Sequence, residues 1–278
     1  MRSLPSLLGG IVATLAAIVT IPLLWISLNV QDEDGFVALS SQLATDTELQ
    51  GAVSDYLAAD FASRGLIPAE LQETAATVMT AVAGQATNQP GFVEAWEESQ
   101  RSLHRSALDE TSGPVTVDLG PMADFVVQRV GDQLPVSLQA EAAAPVQLAT
   151  AEDRDQIRRI DSARLWSYAG LMVLLVAVAV CVLGARRRAL AIAGLGVGAL
   201  VAAGVVHAAV SRATPRLIDG LDGSSAFATS LQKLLVDRAS DSLDAWLEPI
   251  AQAGAVAVGV GVVVFAGQAL AGRWGRRA

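Results

Sequence analysis

Four stretches of this 278-residue chain carry no charged side chain: Ser3–Gln31, Leu165–Ala185, Ala189–Ser211 and Pro249–Gly272, which are 29, 21, 23 and 24 residues long. Lipid offers no hydrogen-bonding partner to a peptide group. A segment that crosses it must therefore satisfy its own backbone, and about 20 apolar residues in a helix span a hydrocarbon core of roughly 30 Å. One such run could be the core helix of a water-soluble domain. Four in one chain favour spans. A mean hydropathy of +0.44 agrees, and with 52% hydrophobic residues most of the chain is too apolar for disorder.

The first stretch has an apolar run from Leu7 to Val30. That is longer than the apolar region of a cleaved signal peptide, about 7–15 residues, and no small-x-small cleavage pattern precedes Gln31. An uncleaved signal anchor is expected. Trp25, Trp166, Tyr168, Trp246 and Trp274 fall at the expected ends of spans. Their amphipathic rings suit the headgroup level and predict an aromatic belt at the membrane interface. Trp96 lies far from any span and is expected in the core of the large loop.

Charge sets the expected orientation. Arg2, the turn Arg186-Arg187-Arg188, and the tail residues Arg273, Arg276 and Arg277 make seven cations with no acid among them. All 28 acidic residues fall in 31–164 and 212–248. Cations near short loops mark the cytoplasmic side, so both termini are expected there. Eight cations near the opposite membrane face, including Arg154, Arg158, Arg159 and Arg164, are interleaved with Glu152, Asp153, Asp155 and Asp161. The expected organisation is a transmembrane anchor over 1–30, an extracytoplasmic domain over 31–163 and a span over 164–185. A cytoplasmic turn follows at 186–188, then a span over 189–211 and an extracytoplasmic amphipathic-helix loop over 212–248. The last span covers 249–272 and a cytoplasmic tail covers 273–278.

Residues 31–163 hold 22 acids and 7 arginines, a net charge of −15, without the Pro/Gly/Ser richness of a linker. Thr45-Asp46-Thr47-Glu48 offers a helix start, followed by Leu49, Val53, Tyr56, Leu57 and Phe61 at helical spacing. A second helix is expected from Pro68 to Val82, and a third from Pro90 or Gly91 through Leu108. Val115–Leu119 alternates and is β-branched, so it reads as a strand with Pro145–Ala149 as its potential partner. Gly120-Pro121 opens another helix, and the acid-rich start at 151–153 suits one that runs on through Arg164. In 212–248 the residues Phe227, Leu231, Leu234, Leu235, Ser242, Leu243, Trp246 and Leu247 share one helical face. That stripe is expected to pack on the large domain, with the bilayer surface or a partner as alternatives. The fold class is mainly α: a four-transmembrane-helix protein with a mostly helical extracytoplasmic domain and a short two-stranded β element.

The chemistry is quiet. Cys181 is the lone cysteine, which rules out an intramolecular disulfide and a multi-thiolate zinc site. A net charge of −9 argues against nucleic-acid binding. No nucleophile elbow, P-loop, His-Glu-x-x-His or EF-hand loop occurs. Asp32-Glu33-Asp34-Gly35 lacks the ligand spacing of a calcium loop and reads as a solvated cap; Asp219–Gly223 reads as a turn. His104 is expected to be structural, and His207 an interfacial histidine bonded to a carbonyl. No cofactor or metal is expected. Gly194 and Gly198 form a Gly-x-x-x-Gly pair, and Ala255, Ala257, Gly259 and Gly261 repeat small residues at the same spacing. Small residues let helices approach, so the third and fourth spans are expected to pack together.

Leu24–Val30, Asp34–Leu39 and Leu43–Asp46, with the strand Val115–Leu119 and the turn Arg186–Arg188, resemble a group of uncharacterised actinobacterial integral membrane proteins with a large extracytoplasmic loop after the first span. The resemblance implies envelope localisation and brings no catalytic residue. The expected function is non-enzymatic: an acidic extracytoplasmic domain presented for partner binding, scaffolding or sensing, with a lipid bilayer and an envelope protein or a second copy as partners. An accessory or pore-forming transport component and a membrane-tethered hydrolase using His104 are the alternatives.

Overall fold

The computed structural model describes residues 3–64, 74, 77, 91–108, 113–131, 145–152, 154, 162–221 and 223–274. Among them are eight α-helices: α1 (Ser3–Asn29), α2 (Glu33–Ser41), α3 (Thr47–Ser63), α4 (Phe92–Leu108), α5 (Gly120–Gly131), α6 (Ala163–Gly184), α7 (Arg188–Asp219) and α8 (Ala226–Trp274). Two short strands, β1 (Val115–Val117) and β2 (Val146–Ala149), complete the fold. The helix expected over 68–82 and most of the one expected from Thr150 lie outside the described residues. Four helices, α1, α6, α7 and α8, are long and apolar enough to cross a membrane.

The chain divides into two compact units. Met1–Ser27, Ser162–Thr214 and Ser240–Ala278 form one, and Leu28–Asp161 with Pro215–Ala239 form the other. The first, the bundle, exposes Leu, Ile and Val along α1, α6, α7 and α8, the surface that lipid requires. The second, the lobe, buries its apolar side chains.

The lobe follows from its capping and spacing. Asp32 caps α2 by accepting from the Gly35 amide at 3.0 Å, which is the role its acidic cluster plays. Gly35 is required here, since a Cβ would collide with the Leu28 carbonyl. Asp46 caps α3 by accepting from the Glu48 and Leu49 amides. Leu49, Val53 and Leu57 then recur every four residues and enter one core with Phe92, Trp96 and Leu103 of α4 and Met122 and Phe125 of α5. The Trp96 indole N–H donates to the Ser40 carbonyl at 2.9 Å, so its polar atom is not left orphaned. Phe92 and Phe125 meet edge to face, 5.6 Å between centroids. β1 and β2 pair antiparallel, with Val117 opposite Val146 and an irregularity between Val115 and Thr116.

The amphipathic helix expected within 212–248 is present, but it is continuous with the last span, and the start of the segment continues the preceding helix. α7 runs on to Asp219, and α8 is unbroken from Ala226 to Trp274 with Pro249 inside it. Proline reads as a helix start from sequence, but here it sits on an exposed face within a continuous helix. The stripe on the first half of α8 therefore serves two units. Phe227, Ala228 and Leu231 close the lobe core, while Leu243 and Leu247 are buried in the bundle. Gln232 donates to the Leu148 carbonyl at 2.6 Å, and Ser224 donates to Gln147 O, fastening this stretch to β2.

Candidate functional site

The lobe holds the polar groups in structural roles. His104 is buried, with Nε2 3.1 Å from the Val30 carbonyl and its ring 5.4 Å from that of Phe36. On α4, Glu97 and Glu98 pair with Arg101, and Glu98 with Arg105, as neighbours on one solvated helix face. Among the described residues no group of three or more His, Cys, Asp and Glu is placed to hold a metal.

In the bundle, close helix contacts depend on glycine, and of the expected positions Gly261 is the one at the seam between α7 and α8. A Cβ on Gly196 would lie 2.5 Å from the Gly254 carbonyl, and one on Gly261 would lie 2.6 Å from the Ala189 carbonyl. Gly196, Gly254 and Gly261 thus bring α7 and α8 together. Gly198 faces the Thr14 side chain of α1 instead, and nothing lies within 4 Å of a Cβ on Gly194 or Gly259. Residues two apart on a helix point roughly 200° apart, so the middle glycine of Gly194-Leu195-Gly196-Val197-Gly198 occupies the α8 seam and its neighbours do not. Gly9 of α1 approaches α6, where a Cβ would stand 2.9 Å from the Ala177 carbonyl.

Trp25, expected in the aromatic belt, is 5% exposed, and its indole N–H donates to the Ser242 hydroxyl at 3.2 Å. Trp166 and Tyr168 are exposed at 62% and 53% near the start of α6, and Trp246 is half-buried. Trp274 ends α8. His207 does not bond a carbonyl: its Nδ1 is 2.9 Å from an Asp244 carboxylate oxygen, a pairing of α7 with α8. Sequence reasoning had no signal for it, since the partners stand 37 residues apart.

The same small residues leave a groove of about 530 Å³ in the bundle. Ser6, Gly10 and Thr14 of α1 form one wall, and Leu190, Gly194, Val197 and Val201 of α7 the other. Cys181 contributes to the wall, and Arg186 and Arg187 stand at one end. The hydroxyls inside are already engaged: Ser6 donates to the Cys181 carbonyl at 2.9 Å, and Thr14 to the Gly10 carbonyl at 3.0 Å. Polar recognition is thereby concentrated in the two guanidinium groups. Arg187 also lies 5.5 Å from the centroid of the Phe265 ring, a cation–π distance, and Arg188 opens α7. Comparison with protein families, curated proteins and solved structures finds no match to this chain.

Proposed function

We propose that this multi-pass membrane protein presents an acidic, folded lobe outside the cytoplasm, where it binds or scaffolds a partner of the cell envelope without catalysing a reaction. The observation that carries the reading is the lobe core itself. Leu57, Trp96, Val117, Met122 and Leu231 are sealed from solvent, so the segment between the first two spans, together with the start of α8, is a domain and not a tether. The net charge of −15 over 31–163 selects for partners with basic surface. Both termini and the Arg186–Arg188 turn lie in the cytoplasm in this reading, supported by the confinement of every acidic residue to the other two segments.

Cysteine labelling in intact cells tests the placement. In a Cys181→Ala background, a membrane-impermeant maleimide should modify Glu97→Cys in intact cells and Arg187→Cys only after permeabilisation. The opposite pattern overturns the orientation. Photocrosslinking from position 94 in living cells should then give a discrete adduct that weakens when Glu97 and Asp124 are replaced by lysine. Absence of any adduct from positions spread over the lobe overturns the partner reading.

A further inference from the structure

We propose that the groove between α1 and α7 is a binding site for an anionic phospholipid, with one acyl chain along the groove and the phosphate at Arg186 and Arg187. The site lies in the bundle and is independent of what the lobe binds.

The shape argues for an amphiphile. On α7 the lining residues run from Leu190 to Val201 on one helical face, with Arg187 just before them. At about 1.5 Å per residue, Arg187 to Val201 covers about 21 Å along the axis, about the depth of one leaflet with its headgroup region. The wall is aliphatic and glycine, and its two hydroxyls are spent within the protein. The groove volume of about 530 Å³ falls within the range of small-molecule sites. A Cβ on Gly194 would meet nothing within 4 Å, so the floor is open to an occupant.

The charge argues for an anion at one end. Residues 1–31, 165–211 and 249–278 contain no Asp or Glu, so no carboxylate of these segments can neutralise the arginine turn. Among the described residues none of the three arginines forms an ion pair. Guanidinium groups bind phosphate oxygens with matched geometry, and basic pockets between spans are suited to lipid phosphates. A second groove of about 540 Å³, between α7 and α8, shares Arg186 and Arg187 with the first and adds Arg188.

Native mass spectrometry of the full chain, delipidated in non-ionic detergent and titrated with dioleoyl phosphatidylglycerol or dioleoyl phosphatidylcholine, tests the proposal. Phosphatidylglycerol should bind about thirtyfold more tightly, the margin expected from two arginines at a membrane surface. Replacing both Arg186 and Arg187 by Gln should erase that margin. Gly194→Leu should fill the groove and remove the lipid adduct. Val197→Trp, at a position 49% exposed, does the same without touching a glycine and serves if the first variant fails to fold. Equal binding of the two lipids, or retention of the adduct in a folded groove-filling variant, overturns the proposal. So does displacement of the lipid by inorganic phosphate alone, which marks a headgroup site without a chain. A doubled mass that Gly194→Leu abolishes also overturns it, because the occupant is then a second copy.

Discussion

The indole N–H of Trp25, on α1, points at the hydroxyl oxygen of Ser242, on α8, across 3.2 Å. This contact joins the first and last spans, with the indole almost wholly enclosed. Hydrogen bonds between membrane helices average about 0.6 kcal/mol in double-mutant cycles, so most of the stabilisation by Trp25 comes from its packed ring. Trp25→Ala should cost about 3–5 kcal/mol, and Ser242→Ala well under that. A Trp25→Phe/Ser242→Ala cycle, read by unfolding in detergent, should return a coupling of about 0.5–1.5 kcal/mol.

The glycines of α7 make opposite predictions only two residues apart. Gly196→Ala drives a methyl into the backbone of Gly254 and should destabilise the α7–α8 pair by about 1–3 kcal/mol. Gly194→Ala meets open space and should be neutral or stabilising, up to about 1 kcal/mol, from helix propensity alone. Thermal unfolding of the two variants side by side distinguishes them. A larger loss at Gly194 than at Gly196 contradicts the packing described.

The lobe needs its distant helix. Leu231 is fully buried among residues of the segment between α1 and α6, so Leu231→Ala should cost about 2–5 kcal/mol. A fragment ending at residue 163 lacks Phe227, Ala228 and Leu231 and leaves part of that core open. It should bind a hydrophobic dye and unfold without a sharp transition. Joining residues 215–239 to it through a flexible linker should restore cooperativity.

Tyr56 gives the lobe an alkaline limit. Burial, and then the nearby Asp60 carboxylate, push its phenol above the ordinary value, while Arg64 pulls the other way. The folded state therefore holds the proton more tightly than the unfolded chain. This contribution is fully present below the unfolded pKa, about 10, and is lost as pH rises through the higher folded value. Tyr56→Phe keeps the ring contact with Phe227 and removes the titrating group. Melting of the variant should fall less steeply than that of the parent between about pH 9 and about pH 11.

The four spans were legible because lipid forbids unpaired charge, which clears ionic residues from long runs. The lobe's capping and its strand pair were legible because Asp46, and the alternation of Val115 and Val117, act on their immediate neighbours. What escaped was set by partners far along the chain. Trp25 looks like an interfacial tryptophan until Ser242 is beside it, and His207 has no visible partner until α8 brings Asp244 to it. Three glycines at alternate positions offer more than one small-residue face, and only the shapes of α1 and α8 decide which face meets which. The continuity of α8 was masked by Pro249, a residue equally at home in a first turn.

The order of synthesis gives the shared core one more meaning. Phe227, Ala228 and Leu231 leave the ribosome after the lobe's other core residues and after three membrane-crossing helices. The lobe core stays unfinished until α8 arrives to close it. Its completion thus depends on the polypeptide being made nearly to its end, and a chain truncated before α8 leaves part of that apolar core uncovered.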